Sequence, residues 1–162
     1  MNPLAHLQVP RPAPADPISD RMVIIGCSRR KATTTVPVPA LELYQGGSIP
    51  QLRARIRRQP RARARVRILS AEHGWLHPDT LLMPYDRRLD ESRAAQLRPA
   101  VAAAIADDLT VSGLPAELLV IVEPLYLTVL ADLLTLGLPI HWIPDVHAWD
   151  QAAAVLDRWE WP

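Results

Sequence analysis

The sequence contains no phenylalanine and only one cysteine and one lysine among its 162 residues. One cysteine excludes a disulfide within the chain and a zinc site of the CxxC type, because each needs at least two thiols. Since phenylalanine is absent, the five tryptophans must fill the core together with leucine, valine, isoleucine and alanine. The sequence also lacks the GxGxxG and GxxxxGKS/T segments, which excludes a dinucleotide fingerprint and a P-loop.

Long apolar segments are also missing. No apolar run reaches the roughly 20 residues of a membrane span, and residues 1–20 lack the apolar core of a signal peptide. We therefore expect a cytoplasmic protein that has no membrane partner. Hydrophobic residues make up 49% of the chain and the formal net charge is +1. This composition favours a globular fold and argues neither for nor against a nucleic-acid partner.

The one cysteine and the one lysine lie close together, in the segment Gly26–Lys31. Of the 18 lysine and arginine residues, all but Lys31 are arginine. A retained lysine indicates a need for a compact ammonium whose pKa can shift, and a thiol beside an ammonium is a candidate for thiolate chemistry. The alternative is that Cys27 is a small buried apolar residue and that Lys31 has no special role.

The chain divides into two parts of different composition. Residues 1–20 contain five prolines and few side chains that could pack, which predicts a disordered N-terminal arm. Residues 21–162 are expected to form a single domain, in which short apolar runs alternate with segments of helical periodicity. The predicted strands are 22–26, 66–69, 118–122 and 140–143, and the main predicted helices are 49–58, 90–108, 124–136 and 147–159. This alternation is typical of a three-layer α/β domain, Rossmann-like or flavodoxin-like, with about four parallel strands.

Ligands of such sheets bind beyond the carboxyl ends of the strands. The first strand is followed by Cys27, Ser28 and Lys31, the second by Ser70, His73, Gly74, Tyr85 and Asp86, and the third by Glu123 and Tyr126. If the first two strands are neighbours, about 5 Å apart, Cys27 and His73 come within reach of each other. A thiol, an imidazole and carboxylates together suffice for nucleophilic or acid–base catalysis.

Some of these residues also have a structural interpretation. His73 precedes a glycine and could cap a turn, and Asp86 could be a turn residue or a helix cap. Both lie in the segment 70–86, which reads as one long loop, and loops of this length in compact domains are usually functional. The His, Asp and Glu residues show no HExxH or comparable spacing, so we predict no metal site and no cofactor.

Eight arginines and no acidic residue occur between Arg53 and Arg67, which leaves the rest of the chain net acidic. The simpler interpretation of this arginine run is a solvated helix face. The functional interpretation is a surface that contacts the phosphates of a nucleotide or nucleic acid. Aromatic residues, which would support stacking of single-stranded bases, are not interleaved with these arginines.

Four segments in this order resemble a bacterial and phage domain family of unknown function. They are VIIGCSRRK at 23–31, ALELYQG at 40–46, VRILSAEHGWLHPDTLLMPYDRRL at 66–89, and the strand end with Glu123–Tyr126. Members of that family show a strand followed by Cys-x-x-x-Lys, an LY(S/T)G-like segment and a long block that runs from ILSA to PYD. The resemblance covers about residues 22–130, which is most of the predicted domain.

That family is in turn distantly similar to the catalytic segment of archaeosine synthase, which has a Pro-Cys-Ser-x-x-Lys segment, a Ser-Pro-x-Gly block and a Tyr-Asp pair. The matching positions here are Cys27, Ser28, Lys31, Ser70, Gly74, Tyr85 and Asp86. Gly26 and Ala71 stand where that enzyme has prolines, and Glu123-Pro124 stands where relatives often have Ala-Gly. The resemblance implies a fold like that of uracil-DNA glycosylases and a substrate such as a 7-deazaguanine base in transfer RNA.

The residues and the resemblance favour an enzyme that acts on a nucleobase, nucleoside or nucleotide, free or in nucleic acid, by group transfer or by glycosidic bond cleavage. Cys27 would be the nucleophile or an acid–base group, and Lys31 would hold the thiolate or bind a phosphate. His73 or Asp86 would move protons. The expected substrate-binding residues are Ser28, Tyr44, Ser70, Gly74, Tyr85, Glu123 and Tyr126, and Tyr44, Tyr85 or Trp75 would stack on the base.

Two other classes of function stay open. The first is a non-catalytic module that binds a nucleotide or nucleic acid, in which the arginine run supplies affinity and Cys27 only packs. The second is a structural partner protein, suggested by the tryptophan-rich C-terminus. Trp159 and Trp161 would then pack back onto the core or join a homodimer contact.

Overall fold

The computed structural model describes residues 2–7 and 16–162. The strands are β1 (Arg21–Gly26), β2 (Val38–Pro39), β3 (Val66–Ser70), β4 (Gly74–Leu76), β5 (Leu81–Leu82), β6 (Glu117–Ile121) and β7 (Ile140–Ile143). The helices are α1 (Ala40–Leu43), α2 (Ile49–Arg55), α3 (Pro60–Arg63), α4 (Glu91–Ser112), α5 (Tyr126–Val129), α6 (Ala131–Leu134) and α7 (Trp149–Arg158). Among the described residues, no helix has the length and hydrophobicity needed to cross a membrane.

The main sheet has five strands in the order β4-β3-β1-β6-β7. β1, β3, β6 and β7 run parallel, and they correspond to the four apolar runs of the sequence. Ile25 of β1 pairs with Ile68 of β3 on one side and with Ile121 of β6 on the other. One face of the sheet is covered by α1, α2, α3 and α7 and the other by α4, α5 and α6, which explains why the strands are apolar throughout. The prediction of a three-layer α/β fold is confirmed.

The segment 70–86, expected as one long loop, contains two short strands. β4 turns back antiparallel to β3 and extends the sheet, with Ser70 opposite Gly74. Gly74 makes this turn with a φ of +72°, a backbone conformation that favours glycine. β5 pairs with β2 in a small second sheet, so this segment is held by strand pairing on both sides. Strands of two or three residues are too short for sequence periodicity to reveal.

The predicted helix 124–136 is two short helices, α5 and α6, separated by a turn at Leu130. Two β-branched residues directly precede this turn and lower the helix propensity there. The helix predicted from residue 90 is present as α4. Asp90 caps its N-terminus, because its carboxylate accepts a hydrogen bond from the Arg93 N–H at 2.7 Å.

Residues 2–7, part of the expected N-terminal arm, are folded against α4 and α6. The Leu4 side chain is fully buried in the hydrophobic cluster on that face of the sheet. The Asn2 amide donates hydrogen bonds to the Asp132 carbonyl at 2.9 Å and to the Thr135 hydroxyl at 2.8 Å. This part of the chain therefore differs from the expectation, because a buried leucine and two hydrogen bonds hold it in place. The rest of the proline-rich segment, residues 8–15, lies outside the described residues.

The C-terminal tryptophans pack back onto the core. The Trp159 indole N–H donates to the Glu117 carboxylate at 2.9 Å, and the Trp161 indole N–H donates to the Pro17 carbonyl at 2.7 Å. Both side chains are buried. Of the two roles considered for these residues, the structure shows packing, and a homodimer contact stays a prediction.

Most of the arginine run is bonded to other parts of the chain. Arg67 is buried against the Asp108 carboxylate at 2.7 Å, and the buried Arg65 donates to two main-chain carbonyls. The side chains that also bond to protein carbonyls or carboxylates are Arg53, Arg55, Arg61 and Arg63. The functional interpretation of this run, a phosphate-contact surface, is therefore contradicted for Arg65 and Arg67, since buried groups cannot reach a nucleic acid. Arg57 and Arg58 are exposed.

Leu4→Ala should lower the free energy of unfolding by about 2–5 kcal/mol, because it removes a fully buried side chain and leaves a cavity. Leu81→Ala is the matched control: Leu81 is 64% exposed, so we expect a change of less than about 0.5 kcal/mol. Urea unfolding followed by circular dichroism measures both variants. Equal stability of the two would show that residues 2–7 do not contribute to the fold.

Candidate functional site

The strand order places β1 in the centre of the sheet, with β3 on one side and β6 on the other. The chain passes from β1 to β3 through α1–α3 on one face, and from β3 to β6 through α4 on the opposite face. The carboxyl ends of β1 and β6 therefore lie at a topological switch point, where open α/β sheets bind ligands. A cavity of about 480 Å³, called the cleft below, lies at this point.

Six of the predicted site residues line the cleft: Cys27, Ser28, Lys31, Asp86, Glu123 and Tyr126. They come from the connections that follow β1, β5 and β6. The cleft volume lies within the usual range of small-molecule sites, which is roughly 300–1,000 Å³. The carboxyl ends of neighbouring parallel strands thus bring together residues that are far apart in the sequence.

Cys27 lies directly after β1 and is half-buried between the hydrophobic clusters of the two faces. Its main-chain N–H donates to the Leu69 carbonyl at 2.9 Å, which continues the β1–β3 ladder and fixes where the side chain leaves the sheet. The Cys27 Sγ lies 3.2 Å from the Tyr126 Oη. The hydrogen-bond partner of the thiol is therefore a phenol from the connection after β6, and not the expected imidazole of His73.

Ser28 holds the segment that carries the thiol. Its hydroxyl donates to the Arg30 carbonyl at 2.7 Å and accepts a hydrogen bond from the Gly46 N–H at 3.0 Å. A Cβ on Gly46 would lie 2.9 Å from the Ser28 Cβ, so the two segments approach too closely for any larger residue. The contacts show that Ser28 positions the main chain after Cys27. Substrate binding by Ser28 stays a prediction.

Lys31 lies over the aromatic residues beside the cleft. Its Nζ is 4.4 Å from the centre of the Tyr85 ring and 5.8 Å from the centre of the Tyr44 ring, which is cation–π geometry. Burial lowers the pKa of Lys31, while negative charges on Cys27 and Asp86 oppose this lowering. The one lysine of the chain is thus a partly desolvated ammonium that lines the same cleft as the one thiol.

Three hydroxyls form a directed chain of hydrogen bonds behind Lys31. The Ser70 Oγ accepts from the main-chain N–H groups of Glu72 at 3.2 Å and His73 at 3.0 Å, which occupies its lone pairs. It therefore donates its own hydrogen to the Tyr85 Oη, 2.6 Å away. Tyr85 in turn donates to the Tyr44 Oη at 2.5 Å. These bonds fix the ring of Tyr85 beneath the ammonium.

All three tyrosines of the chain lie at this end of the sheet. Burial raises the pKa of Tyr44 to about 12, although the hydrogen bond with Tyr85 opposes the rise. Burial and then a negative charge on Cys27 raise the pKa of Tyr85 and of Tyr126. The three phenols are therefore neutral hydrogen-bond donors at neutral pH.

The remaining predicted residues of the second connection lie behind the cleft. His73 is exposed and packs its ring edge-on against Tyr85, with the ring centres 5.0 Å apart. Gly74 makes the β3–β4 turn, and a Cβ there would lie 3.0 Å from a methyl group of Val101. Trp75 is buried and donates from its indole N–H to the Asp108 carboxylate at 2.7 Å. Stacking of Trp75 on a base is thus contradicted, since its ring belongs to the core on the α4 face.

Sequence reasoning missed several residues that line the cleft. Arg29, Arg87 and Arg88 add positive charge, and Val146 adds an apolar contact from the connection after β7. The position of Arg87 and Arg88 directly after the Tyr85-Asp86 pair was the available indication. Because all but one of the 18 lysine and arginine residues are arginine, the sequence did not distinguish the arginines that line the cleft from the others.

Residues 22–136 match the model of a family of unknown function (DUF6884). This match covers more than half of the chain and includes every predicted site residue. The chain belongs to this family. No curated protein and no solved structure shows significant similarity to the chain. The predicted membership of a family of unknown function is therefore confirmed, and the similarity to archaeosine synthase stays a prediction.

The raised tyrosine pKa values can be measured directly, because the chain has no other tyrosine. At about pH 10, where a free tyrosine is half-ionised, we expect little tyrosinate absorbance from the folded protein. Unfolded tyrosines ionise near pH 10 and Tyr44 ionises at about pH 12, so the folding stability should fall as the pH rises through this range.

The control for this titration is the same protein in denaturant, whose three tyrosines should ionise at the ordinary pH. Circular dichroism at each pH shows whether the native fold is retained. Half-ionised tyrosines at about pH 10 in a protein with native circular dichroism would contradict the buried arrangement.

Proposed function

We propose that this protein is an enzyme that acts on a nucleobase, nucleoside or nucleotide in the cleft, with Cys27 as the nucleophile or an acid–base group. One observation carries the proposal. The one thiol, the one lysine and all three tyrosines of the chain converge on the carboxyl ends of three parallel strands. Rare residue types that meet at a topological switch point are better explained by chemistry than by packing.

The neighbours of Cys27 suit a sulfur that carries negative charge during a reaction. The Lys31 ammonium supplies an opposite charge, and the Tyr126 phenol supplies a hydrogen-bond donor 3.2 Å from the sulfur. Because burial raises the pKa of Tyr126, its proton stays on the phenol at neutral pH and is available to the thiolate. Asp86 and Glu123 line the same cleft and are the carboxylates placed to move protons to or from a substrate.

The resemblance to the catalytic segment of archaeosine synthase supports a base as the reacting group. Of the positions that match that segment, Cys27, Ser28, Lys31 and Asp86 line one cleft. Tyr85 and Ser70 lie directly behind Lys31. Attack of the sulfur on an electrophilic carbon of the base and cleavage of a glycosidic bond are both compatible with this set of groups.

A non-catalytic nucleotide-binding module is the second candidate, and one observation favours it. Cys27 is half-buried and packs against the apolar clusters of both faces, as a structural cysteine does. In that case the cleft binds its ligand through Lys31 and the arginines, and the thiol takes no part. The reactivity of Cys27 distinguishes the two candidates.

Lys31→Met should slow the alkylation of Cys27 by iodoacetamide at neutral pH by about three- to tenfold, because the thiolate loses a nearby positive charge. The chain has one cysteine, so mass spectrometry of the intact protein reads this rate without ambiguity. Arg58→Met is the matched control, since it removes an exposed positive charge in the turn that follows α2. Equal rates in wild type and Lys31→Met would favour the binding module.

A thermal-shift screen of nucleobases, nucleosides and nucleotides tests the ligand class, followed by mass spectrometry of each binding compound after incubation. We expect at least one of them to stabilise the protein and to be converted. Cys27→Ser should keep the affinity within about twofold and lose the conversion, because serine preserves the shape of the site but is a much weaker nucleophile. Binding with no conversion would support the module, and no binding by any compound would contradict both candidates.

A further inference from the structure

We infer that the side of the cleft formed by Arg29, Lys31, Arg87 and Arg88 is a phosphate subsite, and that the ligand is a free mononucleotide. This inference rests on the proposed function and deepens it, because it selects one substrate class among the nucleobase, the nucleoside and the nucleotide.

The cleft carries more positive than negative charge. Four cationic side chains line it against two carboxylates, Asp86 and Glu123. Arg87 lies 3.5 Å from the Glu72 carboxylate, at the surface. Within residues 2–7 and 16–162, no carboxylate lies in ion-pair contact with Arg29 or Arg88. A dianionic phosphate ester is the common metabolite group that such a surplus fits.

The cations reach the cleft from two separate segments. Arg29 and Lys31 follow β1, whereas Arg87 and Arg88 follow β5. A phosphate between the segments would therefore be bonded from two sides, and the planar guanidinium groups match its oxygens in pairs. This arrangement differs from a flat basic surface, which would not distinguish one phosphate from a polyphosphate chain.

A second cavity of about 510 Å³ adjoins the cleft, and the two share Cys27, Arg29 and Glu123 in their walls. Besides Arg29 and Glu123, its wall contains one further arginine, Arg30, and the rest is mainly uncharged, including Ser48, Gln51 and the main chain of Gly46 and Gly47. A mononucleotide that binds across both cavities would place its phosphate on the arginines of the cleft and its base in the second cavity. Because Cys27 lies in the wall of both cavities, the sulfur would face the base and the bond that joins it to the sugar.

The arginine run argues against a nucleic-acid strand as the ligand. A strand needs several phosphate contacts along a continuous basic path. Arg65 and Arg67 are buried, and Arg53, Arg55, Arg61 and Arg63 bond to other protein groups. The cations that face the cleft suffice for one phosphate group, so a free mononucleotide fits better than a strand.

The test uses calorimetry on the wild type and two double variants. The ligands are four nucleoside monophosphates, the matching nucleosides and inorganic phosphate. Arg87→Gln with Arg88→Gln removes two cations of the subsite. Arg57→Gln with Arg58→Gln is the matched control, since it neutralises an adjacent pair of exposed arginines elsewhere. We expect a monophosphate to bind at least about tenfold more tightly than its nucleoside.

The subsite variant should weaken monophosphate binding by about tenfold or more and change nucleoside binding by less than about twofold. The control should change neither. Arg29→Gln serves as a second variant if the double variant unfolds at a lower temperature than wild type. Inorganic phosphate should compete with the monophosphate and not with the nucleoside.

Three results would overturn the inference. Equal binding of nucleoside and monophosphate, unchanged in the subsite variant, would contradict the phosphate subsite and leave the proposed function standing. Tighter binding of an oligonucleotide than of any monophosphate, lost in the Arg57/Arg58 control, would identify a nucleic-acid surface instead. No binding of any compound would contradict both the subsite and the proposed function.

Discussion

The parallel pairing of β1 with both β3 and β6 is the constraint on which the site depends. Each pairing aligns the carboxyl end of one strand with that of its neighbour, so the residues that follow the strands emerge at one edge. Cys27, Ser70 and Tyr126 are distant in sequence and are brought to this edge by the ladder. Because β1 is buried on both faces, its position is fixed by the apolar clusters above and below it. The site is therefore anchored at the end of a buried central strand.

The electrostatic character of the site follows from its position at the edge of the core. Partial burial disfavours the charged forms of the groups there, so the pKa of Tyr44 rises and that of Lys31 falls. The buried hydroxyls of Ser70, Tyr85 and Tyr44 compensate by bonding to each other. The arginines that line the cleft, Arg29, Arg87 and Arg88, are exposed and lie toward the solvent. The hydroxyls behind Lys31 thus form a neutral polar layer, and the arginines form a positively charged edge of the cleft toward the solvent.

The sheet could be predicted from the sequence because each parallel strand is a short apolar run, a local pattern. That six of the predicted residues line one cleft follows from their positions after neighbouring parallel strands, whose carboxyl ends meet at one edge. The role of each arginine could not be predicted, because it depends on partners that are distant in the sequence. Arg67, for example, forms an ion pair with Asp108 on α4. The prediction that Trp75 stacks on a base was wrong for the same reason. Its indole N–H donates a hydrogen bond to the Asp108 carboxylate, and its ring does not face the cleft. Local sequence shows which groups are present, and only the tertiary fold shows which of them are already paired.

The residue beside the thiol is Tyr126 and not the expected His73. This difference changes the chemistry that is open to Cys27. An imidazole next to a cysteine accepts its proton and makes a strong nucleophile, as in cysteine proteases. A phenol with a raised pKa cannot accept that proton, and it stabilises a thiolate only by donating a hydrogen bond. In the reaction proposed above, the proton of Cys27 must therefore leave to solvent, to a carboxylate of the cleft or to the substrate itself. The proposed nucleobase substrate, with a basic nitrogen next to an electrophilic carbon, would satisfy this requirement, because it can take the proton as the bond to sulfur forms.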